Sequence, residues 1–95
     1  MDTLKKFALM EKIVHELEDL KNNQQAIMQK LAKIEVDNME LGDKRLEKDL
    51  PDMHQRASDN LDTIGGILDD FAVKTDQFNS KNNIAGLKEQ EALKG

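Results

Sequence analysis

Apolar side chains recur in steps of three and four along most of this chain. The first run is Met10, Ile13, Leu17, Leu20, Ile27, Leu31 and Ile34. The second is Leu46, Leu50, Met53, Ala57, Leu61, Ile64, Ile67, Leu68 and Phe71. A mean step near 3.5 residues is the spacing of helices that pack side by side. With Ile13 at heptad position d, Leu17, Gln24, Leu31 and Asn38 fall at a, and Leu20, Ile27, Ile34 and Leu41 at d. Phe7, Val14 and Met28 fall at e. A stripe that includes e is wider than a two-stranded seam and suits a bundle of more than two helices.

The pattern predicts a first amphipathic helix over residues 1–41, opened by a cap at Asp2 or Thr3 and free of Gly and Pro throughout. At 1.5 Å per residue it reaches about 57 Å. Gly42 follows, where a glycine can close a helix in the left-handed region. The register also slips here, because Leu46 and Leu50 belong to a frame two residues out of step with Leu41. Residues 42–50 therefore read as a turn or kinked connection, and 51–79 as a second amphipathic helix. Pro51 favours a first helical turn, with Asp49 as its cap. The alternative is a helix that starts at Asp43 and is kinked at Pro51. In the second helix Leu50, Ala57, Ile64, Phe71 and Phe78 fall at a. Leu46, Met53, Asn60 and Ile67 fall at d, and Leu61 and Leu68 at e. Residues 80–95 open with the turn chemistry of Asn79-Ser80-Lys81-Asn82-Asn83 and read as a polar tail or a short helix capped by Asn83.

Composition narrows the picture. A chain of 95 residues with three Phe, no Tyr and no Trp supports at most a small core. It is 35% charged and carries a net charge of −5, which repels nucleic-acid phosphate unless a basic patch intervenes. None is evident, because Lys44, Arg45 and Lys48 are offset by Asp43, Glu47 and Asp49. With no cysteine, disulfides and thiolate metal sites are excluded. No window resembles a signal peptide or a membrane span, so a cytoplasmic protein is expected. An interfacial membrane helix is disfavoured, since the polar face of the first helix is mixed in sign.

Candidate chemistry is sparse. Gly65 and Gly66 interrupt the second helix at about 1 kcal/mol each relative to alanine. They mark either close helix approach, opposite roughly residues 21–26, or a hinge. A phosphate loop lacks its strand and its lysine. Gln24, Asn38 and Asn60 place amides in the apolar seam, where a polar residue sets register. His15 falls at f and His54 at e, too far apart to share a ligand. No cofactor, metal or catalytic grouping emerges.

The expectation is an all-α protein, an antiparallel helical hairpin with coiled-coil-like heptads that is completed as a helical bundle by self-association or by a partner protein. Its expected role is that of a non-enzymatic scaffold or assembly subunit. The competing expectation is a small acidic regulator that offers Asp59, Asp62, Asp69 and Asp70 to a basic site on an enzyme or a nucleic-acid-binding protein.

Overall fold

The computed structural model describes residues 2–94. These form helices α1 (Thr3–Leu41), α2 (Lys44–Lys81) and α3 (Ile84–Lys94). The helices gather into two compact units. The turn unit is Asp19–Gly66, and the terminal unit combines Met1–Glu18 with Ile67–Gly95.

Capping defines the ends. Asp2 accepts the Lys5 amide through Oδ1 at 2.9 Å and opens α1. At the other end Gly42 adopts φ 71°, and its amide bonds the Asn38 carbonyl at 2.7 Å. Glycine enters that left-handed region without the Cβ penalty other residues meet. The next residue, Asp43, caps α2 by accepting the Leu46 amide at 2.9 Å. The connection is thus only Gly42 and Asp43 rather than the 42–50 stretch, and of the two starts open in the sequence α2 takes the one at Asp43.

Pro51 consequently lies inside α2, and Asp49 is not a cap but an ion-pair partner of Arg45 at 3.2 Å. An interior proline deprives the Glu47 carbonyl of its helical donor. Burial outweighs that loss. Leu50 is buried with Leu31 and Ala57, and Leu46 packs against the same cluster. A buried leucine contributes roughly 2 kcal/mol and the Asp43 cap about 1 kcal/mol. Starting the helix at Pro51 would forfeit both.

In the turn unit the covered positions of α1 are Lys21, Gln24, Met28, Leu31, Glu35 and Asn38, with Ile34 half-buried beside them. Those of α2 are Leu50, His54, Ala57, Leu61 and Ile64. These are positions a and e. The d positions Leu20, Ile27 and Met53 stay 46%, 48% and 46% exposed. Asn60, expected in the seam, is also exposed at d. The two helices run antiparallel, with Gln24 Nε2 donating to the Ala57 carbonyl at 3.4 Å.

The terminal unit adds a third helix. Phe7 stacks on Phe78 with ring centroids 6.4 Å apart and planes 8° from parallel. Lys6 lies over the Phe78 ring and Lys88 over Phe7. Thr75 is buried, and its hydroxyl donates to the Phe71 carbonyl at 2.8 Å, so no polar atom there is stranded. Residues 84–94 are helical rather than a polar tail, because Ile84 is buried to 2% exposure, deeper than any other apolar side chain in the fold. The turn before it places Asn83 at φ 47°, a value asparagine tolerates better than most residues.

Two stability outcomes follow. Ile84→Ala is expected to cost about 3 kcal/mol of local stability and to expose the α3 amides to hydrogen exchange. Unchanged protection across residues 84–94 would contradict the anchoring role given to Ile84. Asn38→Ala is expected to lower the urea unfolding free energy by about 2 kcal/mol, because it leaves the Asp43 amide without a partner and the Asp43 carbonyl with only the Glu47 amide.

Candidate interaction surface

Polar side chains inside the fold are committed to holding it. Asn38 is buried, and its side chain donates to the Asp43 carbonyl at 3.1 Å and accepts the Asp43 amide at 2.9 Å. It closes the turn rather than pairing across the seam. Gln24 does bridge the two helices, through the Ala57 carbonyl. Glu35 differs from both. Its Oε1 is buried without a hydrogen-bond partner, in a groove of about 330 Å³ lined by Asn38, Leu46, Glu47, Leu50 and Pro51. Glu35 falls at e, within the wide stripe, but its charge marks it in the sequence as part of the polar face.

The paired glycines lie in continuous helix, and a Cβ built on either meets nothing within 4 Å. They are therefore not a site of close approach between α1 and α2. Helix pairing in the turn unit centres on Gly42 and Asp43 rather than on the middle of 42–50. The helix is unbroken, so no break occurs at Ile64. Gly86 behaves otherwise, since an added Cβ would press on the Asn83 side-chain amide.

The predicted packing residues divide into three sets. Leu31, Leu50, Ala57 and Ile64 are buried. Met10, Ile13, Leu17, Ile34, Leu46, Leu61, Leu68 and Phe71 are half-buried. Leu20, Ile27, Met53 and Ile67 remain exposed. Position d sits on the same flank of the seam in each helix, and antiparallel neighbours bring like flanks to one side. In the turn unit Leu20, Ile27 and Ile34 of α1 and Leu46 and Met53 of α2 therefore share a face. Single exposed apolar residues are ordinary, whereas a contiguous set on one side marks a contact surface.

Asp59, Asp62, Asp69 and Asp70 are all exposed. Asp70 pairs with Lys74 at 2.9 Å, and Asp59 accepts from Gln55 at 3.0 Å. His15 is exposed and His54 half-buried. Among the described residues no three His, Cys, Asp or Glu side chains converge as metal ligands, and no helix is long and apolar enough to cross a membrane. Comparison with protein-family models, curated proteins and solved structures gives no match to this chain.

Both open positions on α2 allow a direct check. Gly65→Ala and Gly66→Ala should each raise the unfolding free energy by about 1 kcal/mol in urea titrations. A loss of stability would mean that something packs on the bare backbone. Glu35→Met should also stabilise, by about 1 kcal/mol, because it removes a buried carboxylate oxygen that has no partner. A lower melting temperature for that variant would contradict this account of the groove.

Proposed function

We propose that this protein is a non-enzymatic assembly subunit, acting in the cytoplasm, whose uncovered apolar face packs against helices of its own copies or of a partner protein. The supporting observation is that the fold spends positions a and e on its own seam and leaves Leu20, Ile27 and Met53 exposed at d. An uncovered leucine or isoleucine forgoes roughly 2 kcal/mol of burial, so a helical partner offering a matching stripe gains from covering several together. The expected product is a helical bundle with a conventional apolar core. Light scattering behind size exclusion at micromolar concentration should give a mass at least twice the 10.8 kDa of the chain. A folded monomer that captures no helical partner would refute this reading.

A second reading is favoured by the outward faces of α2, where Asp59, Asp62 and Asp69 are exposed and none forms an ion pair among the described residues. In that reading the chain is an acidic regulator of a protein with a basic site. Reversing Asp59, Asp62 and Asp69 to lysine separates the two. The regulator would lose its partner, whereas the assembly subunit would associate as before.

A further inference from the structure

The charged residues bordering the d stripe specify which helices cover it. Position g lies next to d on the outer edge of that face. Along α1 the g positions read Leu9, Glu16, Asn23, Lys30 and Asp37, and along α2 they read Asp49, Arg56, Thr63, Asp70 and Gln77. The central three of each helix are exposed. Each helix thus carries a neutral residue flanked by opposite charges, seven residues to either side, or about 10 Å along the axis. Such an edge is complementary to itself only when its copy runs in the opposite direction. An antiparallel copy centred on Asn23 sets Lys30 against Glu16 of the second chain, and Glu16 against Lys30. The same operation centred on Thr63 sets Arg56 against Asp70. A copy running in the same direction sets like charges at the same level.

We infer that the occupant of the apolar face is a second copy of this chain, bound antiparallel about a two-fold axis passing near Asn23 and Thr63. This inference rests on the self-association reading and adds orientation and register to it. The centre fits the apolar residues as well, because it interleaves Leu20 with Ile27 of the other copy. Lys30 and Arg56 form no ion pair among the described residues. Glu16 and Asp70 already hold Lys12 and Lys74 at 3.8 and 2.9 Å. Those are exposed pairs of adjacent helical turns, a class worth only a few tenths of a kcal/mol, so both carboxylates remain available to the incoming cations. The arrangement is isologous, as a two-fold dimer requires, with one surface serving both subunits.

The test uses the full chain. Lys30→Glu with Arg56→Glu makes both facing charges of each edge acidic, and Glu16→Lys with Asp70→Lys makes them basic. Sedimentation equilibrium should show each variant alone dimerising at least about tenfold more weakly than the native chain, with an equimolar mixture recovering the native affinity as a mixed dimer. Orientation is read by single cysteines, since the chain has none of its own. Asn23→Cys should cross-link through a short bis-maleimide, whereas Asp37→Cys, on the same edge but far from the axis, should not. A dimer whose affinity survives both charge reversals, or one that cross-links through Asp37→Cys and not through Asn23→Cys, would overturn the inference while leaving self-association intact. Binding only to a different protein would also overturn it. A native chain that stays monomeric and finds no partner would remove the underlying reading as well.

Discussion

The rest of this structure depends on how much of a helix one neighbour can cover. A helix in a pair hides an arc of roughly 100°, enough for two of the three apolar positions that each heptad offers here. In the turn unit the chain resolves the excess by rotation. Leu31, Leu50 and Ala57 are buried on the a and e side, while Leu20, Ile27 and Met53 are left outside. The same choice recurs in the terminal unit, where Phe7 and Thr75 at e are buried and Ile67 at d is exposed. The surface assigned to a partner is thus the complement of the surface the fold consumes.

What fixes that choice in the turn unit is the connection. With only Gly42 and Asp43 between the helices, the register of α1 on α2 is set by local hydrogen bonds. Asn38 supplies two of them to Asp43, and Gly42 returns one to Asn38. A longer loop would let one helix slide or roll on the other at little entropic cost. The short turn forbids this and holds Leu31 near Leu50. In the terminal unit α3 takes the place of a turn, and Ile84 fastens it where residues 84–94 would otherwise fray.

The all-helical class, the long first helix and its termination near Gly42 were legible in the sequence, because periodicity and glycine capping act locally. The start of α2 was half legible. Leu46 and Leu50 share the register of the second helix and point to a start at Asp43, whereas Pro51 is a strong local signal for a first turn; only their burial against α1 decides between the two. The rotation of the seam was hidden for the same reason. Leucine, isoleucine and methionine occupy d as readily as they occupy a and e, and only packing decides which are covered. Asn60 was misplaced with its stripe, and Glu35 was hidden because a lone carboxylate, even at e, looks like part of the polar face. Gly65 and Gly66 were recognised as unusual, yet the empty space beside them within this chain is a property of the fold that their sequence context does not reveal.

The central claim is that the residues holding the chain together and those joining it to another helix are different residues. Circular dichroism combined with sedimentation of Leu20→Gln with Ile27→Gln tests this most directly. The account predicts retained helicity with lost association, because neither side chain is buried within the chain. Loss of helicity together with association would contradict it, since d would then be part of the core on which the fold itself depends.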